Sequence, residues 1–128
     1  WREGPDRLSR TDPTYGPDAF RRLKVDVLSR TLLRGREGAV VWGAGPTGKA
    51  FARALREGGA RLRAFVDLDP RKVGQHVYGA PVVAPDGVDD YRSALCVAAV
   101  GRPGAREDVR EALRTRGWME MRDFVAVA

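Results

Sequence analysis

One cysteine, Cys96, stands among 128 residues. No intrachain disulfide can form, so a disulfide framework is excluded. Cys96 lies in the apolar run 94–100, ALCVAAV, where a buried, inert thiol is expected rather than a reactive one. Histidine is as scarce, with His76 alone in the turn-like GQHVYG. A lone histidine in a loop reads as a surface residue, and one cysteine with one histidine cannot build a Cys/His metal cluster. No Ser-His-Asp arrangement is indicated. Tyr78 and Tyr91 have no lysine four residues on, so a Tyr-x-x-x-Lys acid/base pair is missing too. No apolar run approaches the roughly 18 residues of a membrane-spanning helix, and no leader pattern opens the chain. The reducing cytoplasm is the expected compartment, with no membrane partner.

Acidic residues are the minority, 17 against 23 Lys+Arg, for a formal charge of +6. The excess is mostly arginine and is spread along the chain. Nucleic-acid binding calls instead for basic clusters interleaved with aromatics, so a solvated arginine-rich surface and no nucleic-acid partner are expected. The length suits one compact domain with short appendages and a real hydrophobic core. The chain opens on Trp1 rather than Met, which reads as a piece of a longer protein.

Residues 1–17, WREGPDRLSRTDPTYGP, are polar and carry three prolines and two glycines, an irregular stretch that builds no core of its own. A helix is expected from about Asp18, a good N-cap residue. Phe20, Leu23, Lys24, Val27, Leu28 and Leu32 lie near one stripe at three-to-four spacing. That helix should end by Gly35 or Gly38. From Ala39 onward, strand and helix patterns alternate. AVVW reads as a buried strand. The next helix runs from about Pro46 to Glu57, with Ala50, Phe51, Ala54 and Leu55 inward and Gly58-Gly59 as its stop. RLRAFVD is a second strand, followed by a turn in which Asp69 caps a short helical turn at Pro70. GAPVV is a short third strand and PDGVDDYRSA a loop with one helical turn. ALCVAAV is a fully apolar strand. After the GRPG loop a helix spans 105–116, its stripe being Ala105, Val109, Ala112 and Leu113. DFVAVA is a last strand, an edge able to pair across a homodimer.

The stretch VVWGAGPTGKAFARAL, 40–55, fits two phosphate-binding loops at once. Gly43, Gly48 and Lys49 match the start of G-x-x-x-x-G-K-[ST], but the hydroxyl that would hold magnesium is replaced by Ala50. Gly43, Gly45 and Gly48 match G-x-G-x-x-G, and here the context is complete, with a strand before, a helix after and Asp67 at the end of the second strand. In that reading Gly43 permits the tight turn, Gly45 lets a pyrophosphate reach the backbone, and Gly48 lets helix and strand pack closely. Ala44, Pro46 and Thr47 complete the loop, and the helix N-terminus faces the phosphates. Asp67 would hold the adenosine ribose hydroxyls and favour NAD over NADP, a preference that Arg71 and Lys72 would weaken if they are more than solvated charges. A second loop, GRPGAR, follows the apolar strand expected beside the first one. Gly101, Arg102 and Arg106 could therefore face a phosphate or carboxylate across the switch point, or be surface residues at a helix entry. The expected fold is an α/β, Rossmann-like, doubly wound parallel sheet of about four to five strands. The expected domains are 1–17 as the tail of an upstream domain, 18–36 as a linker helix, and 37–128 as the nucleotide-binding domain. A tight turn that binds nothing stays open for the glycines, and for Asp67 a polar residue bonded to nearby N–H groups.

The stretch 40–83, with its Gly-rich turn, FVDLDPRKVG and GAPV, resembles the small Rossmann-like domains of bacterial nucleotide-sugar enzymes. With residues 1–35 included, the chain resembles the C-terminal extension of bacterial family 2 glycosyltransferases. In that resemblance WREGPDRLSRTDPTYG closes the transferase domain, and Arg2, Arg7 and Arg10 match a loop near the donor diphosphate. The resemblance implies an upstream transferase domain as partner and a nucleotide or nucleotide sugar as ligand. The core that performs glycosyl transfer lies outside these residues, so no catalysis of their own is expected.

Two functions follow. The first is an accessory or regulatory module of a glycosyltransferase that binds NAD or a nucleotide sugar, with no metal. The second is the cofactor half of an NAD-dependent oxidoreductase acting on nucleotide sugars, its catalytic half lying elsewhere.

Overall fold

A computed structural model describes residues 17–127. Residues 1–16 of the expected tail, with Arg2, Arg7 and Arg10, lie outside the described residues, and Pro17 opens the first helix. The elements are α1 (Pro17–Arg30), β1 (Ala39–Trp42), α2 (Pro46–Glu57), β2 (Leu62–Val66), β3 (His76–Val77), β4 (Ala80–Val83), a 3-10 segment (Pro85–Tyr91), β5 (Leu95–Ala98), α3 (Ala105–Thr115) and β6 (Phe124–Ala126).

The strands form one sheet in the order β3-β4-β2-β1-β5-β6. All neighbours run parallel except β3 and β4. The architecture is the Rossmann-like α/β fold, with six strands where fewer were expected. The additional strand is β3, two residues paired His76 to Pro81 and Val77 to Ala80, too short to leave a pattern in the sequence. His76 is exposed.

Alternate residues of β1 serve opposite layers, as the period of two in a strand requires. Ala39 and Val41 pack with Phe51, Ala52, Leu55, Phe65, Leu95 and Val97 on the α1/α2 side. Val40 and Trp42 pack with Ala64, Val66, Cys96, Val109, Leu113, Trp118 and Phe124 on the α3 side. Burial on both faces explains the unbroken apolar runs of β1 and β5. Cys96 is fully buried there, and desolvation pushes its thiol pKa far up, so it is an inert core residue.

Two inward faces differ from expectation. On α2, Ala52 is buried and Ala50 only partly so. On α1, Val25 and Leu28 face the core, while Phe20, Leu23 and Val27 are 50–57% exposed. Helical spacing marks an apolar stripe but not which side meets the sheet, and α1 carries apolar residues on two sides. Trp118, after α3, is a buried residue that no periodicity signalled. Its indole N–H donates to Asp89 at 3.0 Å and Arg92 stacks 4.8 Å from its ring centre.

The edge strand β6 is held by Asp123. Its carboxylate accepts the Met119 N–H at 2.8 Å and an Arg36 N–H at 3.3 Å. Burial raises this carboxyl's pKa, but the Met119 and Arg36 bonds outweigh it and leave the net value below the ordinary range. A carboxyl depressed in the folded state contributes stability that is complete above its unfolded pKa of about 3.9 and is lost as pH falls through the folded value. Asp123→Ala is therefore expected to cost about 1–3 kcal/mol at pH 7 and much less near pH 3. Urea unfolding of both proteins at the two pH values checks this, and an equal loss at both would contradict it.

Candidate nucleotide-binding cleft

The C-terminal ends of β1, β2 and β5 open on a cleft of about 710 Å³, floored by the β1–α2 turn and bounded by the loops after β2 and β5. In parallel α/β sheets this crevice, where the strand order reverses direction, is where ligands lie. The volume is ordinary for a small-molecule site.

The turn is built from close contacts that only glycine allows. Gly43 has φ +124°, and a β-carbon there would stand 2.6 Å from the Ala99 carbonyl oxygen. A β-carbon on Gly48 would overlap the Gly43 carbonyl. Helix α2 therefore starts directly against the end of β1. Gly45 is different. Its backbone is extended, and the nearest atom to an added β-carbon would be the Lys72 Nζ, 3.9 Å away. That side of Gly45 is open to the cleft.

Gly45 is the N-cap of α2, and no side chain caps the helix. The first ladder bond is from Lys49 N–H to the Gly45 carbonyl, 2.9 Å. Pro46 has no N–H to offer, and the N–H groups of Thr47 and Gly48 have no carbonyl within the helix to meet. These two donors, with the positive end of the helix dipole, suit an anion.

Asp67 follows β2 and joins it to the turn. One carboxylate oxygen accepts the Ala44 N–H at 2.9 Å and the other the Asp69 N–H at 2.9 Å. Each carboxylate oxygen has a second acceptor site, so these bonds leave room for a ligand hydroxyl. Asp69 caps the following turn through the Arg71 N–H, 2.9 Å, and also pairs with the Arg71 guanidinium. The Arg71 backbone bond, and after it the Arg71 side chain, hold the Asp69 carboxyl below the ordinary range.

The expected site residues are brought together with two exceptions, Ala44 and Arg106. Gly43, Gly45, Pro46, Thr47, Gly48, Asp67, Gly101 and Arg102 line the cleft. Ala44 is buried and its N–H is already committed to Asp67, so it shapes the loop without facing the cleft. The two candidate loops touch, since a β-carbon on Gly101 would stand 2.8 Å from the Thr47 hydroxyl oxygen. Arg102 makes no ion pair among the described residues. Arg106 is exposed on α3, outside the lining. Lys72, which the sequence left as either a ligand contact or a solvated charge, lines the cleft, whereas Arg71 turns to Asp69 and 89% of its side chain is exposed. Leu68, 63% exposed beside Asp67, adds an apolar wall that nothing in its sequence context marked.

No known protein family matches the chain, and no curated protein does. Solved structures do. A Rex-family repressor, RSP, superposes with a TM-score of 0.57 at 17% identity over 82% of this chain, and its complex with β-NADH does so with 0.56. The chain spans 59% of that repressor's length. UDP-D-quinovosamine 4-dehydrogenase from Vibrio fischeri superposes with 0.59 at 19% identity, over 73% of this chain and 79% of that one. A chorismate mutase/shikimate 5-dehydrogenase fusion protein from Clostridium acetobutylicum gives 0.52 at 15% identity, over 85% of this chain and 48% of that one. At these identities the likeness establishes the Rossmann-like fold.

The glycine contacts separate packing from binding. Gly48→Ala is expected to cost about 3 kcal/mol, because helix and turn must part, whereas Gly45→Ala, directed into open space, should cost about 1 kcal/mol or less. Thermal and urea unfolding of the two variants checks the order, and equal losses would contradict the close approach of α2 to β1.

Proposed function

We propose that this chain is a nucleotide-binding module whose ligand is a dinucleotide of the NAD(H) type. The observation that carries the reading is the uncapped start of α2, open at Gly45, in the same cleft as the Asp67 carboxylate. The residues fit the group. The N–H groups of Thr47 and Gly48 would meet the diphosphate, Asp67 would accept the adenosine ribose hydroxyls, and Leu68 would cover one face of the adenine. Arg102 would stand toward the far half of the ligand. A bound nicotinamide would supply hydride chemistry; the cleft lining holds no His, Tyr or Cys, and its ionisable side chains are Asp67, Asp69, Lys72, Arg102 and Asp108. Binding, rather than turnover, is the proposed role.

In the same proposal the module is the C-terminal part of a bacterial glycosyltransferase, with 1–17 as the tail of the transferase domain and 18–36 as the helix joining it. The outward apolar row Phe20, Leu23 and Val27 of α1 supports it, since a helix with apolar residues on two sides suits packing between two bodies. The nucleotide sugar of such an enzyme is then the competing ligand. The alternative, a cofactor half of an oxidoreductase on nucleotide sugars, is favoured by the likeness to a UDP-sugar dehydrogenase and requires a catalytic half elsewhere in its chain.

Calorimetric titration with NAD+, NADH, UDP-glucose and ATP in parallel tests the reading. Micromolar binding of NAD+ or NADH, abolished in Gly45→Val, is expected. Tighter binding of UDP-glucose would move the assignment to a nucleotide sugar, and no binding of any would leave the turn a bare structural element.

A further inference from the structure

Lys72 reaches from the β2–β3 turn toward the glycine loop, beside the Asp67 carboxylate. Its ammonium is 3.9 Å from where a β-carbon on Gly45 would stand and 4.0 Å from an Asp67 carboxylate oxygen. The second distance is the outer limit of an ion pair and too long for a hydrogen bond. The ammonium makes no hydrogen bond among the described residues, so its three donors are open. Its backbone is fixed, the Lys72 N–H donating to the Asp69 carbonyl at 3.0 Å, while the side chain is 38% exposed.

The opposite wall lacks something that Lys72 can supply. Pro46 removes one N–H from the first turn of α2, where backbone donors would otherwise converge on an anion. The side of Gly45 that faces the cleft is open, and Lys72 Nζ is the one atom within 4 Å of a β-carbon built there. Asp67 has both oxygens bonded to backbone N–H groups, so it stays anchored if the lysine leaves it.

We propose that Lys72 is a phosphate-binding residue of this cleft, exchanging its long contact with Asp67 for the diphosphate of a bound nucleotide and standing in for the donor that Pro46 lacks. The inference rests on the nucleotide-binding reading and adds the chemical class of its ligand, a nucleoside diphosphate or a diester of one. A Lys72 that approaches the diphosphate also lies beside the ribose-facing carboxylate, so a ribose 2′-phosphate is the competing source of the same contact.

The test measures adenosine, ADP, NAD+ and 2′-AMP binding to the unaltered protein, Lys72→Met, Lys72→Arg and Arg71→Met, with thermal midpoints to confirm folding. Lys72→Met is expected to weaken ADP and NAD+ about tenfold and to leave adenosine unchanged. Lys72→Arg should recover most of the loss, and Arg71→Met, whose guanidinium is held by Asp69, should behave as the unaltered protein. A loss confined to 2′-AMP would overturn the assignment to the diphosphate. Equal losses for adenosine and ADP, or none for ADP, would overturn it as well. Failure of the unaltered protein to bind any nucleotide would instead bring down the nucleotide reading and this inference with it.

Discussion

The first turn of α2 lies so close to the end of β1 that a β-carbon on Gly48 would overlap the Gly43 carbonyl. This approach sets the geometry of the rest. It places Thr47 and Gly48, whose N–H groups have no carbonyl within the helix, on the lining of the cleft, and it brings Thr47 against Gly101 on the neighbouring loop. It also lets Phe51, Ala52 and Leu55 reach the sheet next to Val41. The same contact that completes the core on one side of the sheet thereby shapes the cleft at its end. The glycines of the turn divide the work: Gly43 and Gly48 are needed for packing, and Gly45 leaves open space.

Asp67 serves both needs with one carboxylate. Its bonds to Ala44 and Asp69 brace the glycine turn against the loop after β2. The structural account of this residue and the proposed ribose contact are therefore compatible, because each oxygen keeps a second acceptor site. The cleft that results is mixed in charge, with Asp67, Asp69 and Asp108 set against Lys72 and Arg102 among its lining residues. An anionic ligand would need the helix dipole and a mobile cation to be favoured over water there. Lys72 and Arg102, neither held by a strong ion pair, are the cations available.

Much of this was legible in the chain. β1 ends in glycines that force a turn, so its limits match the structure at both ends. α2 begins at a proline that suits the first helical position and ends at two glycines. Asp67 stood at the predicted distance. What was not legible depends on tertiary contacts. α1 has apolar residues on two sides, and only docking on α2 decides that Val25 and Leu28 turn inward. β3 is two residues long and exists because β4 is there to pair with it. Ala44 belongs to the motif by position, yet the Asp67 bond takes its N–H. Lys72 and Arg71 are adjacent and alike in charge, and the cap formed by Asp69 separates them, one toward the cleft and one to solvent.

A proton–nitrogen correlation spectrum of the isotopically labelled protein, recorded as NADH is added, tests the central claim most directly. The account predicts shifts concentrated at Gly45, Thr47, Gly48, Asp67 and Gly101, the backbone N–H groups lining one crevice. Shifts confined to the opposite end of the sheet, around Arg36, Arg92 and Arg122, or an unchanged spectrum at saturating ligand, would contradict it.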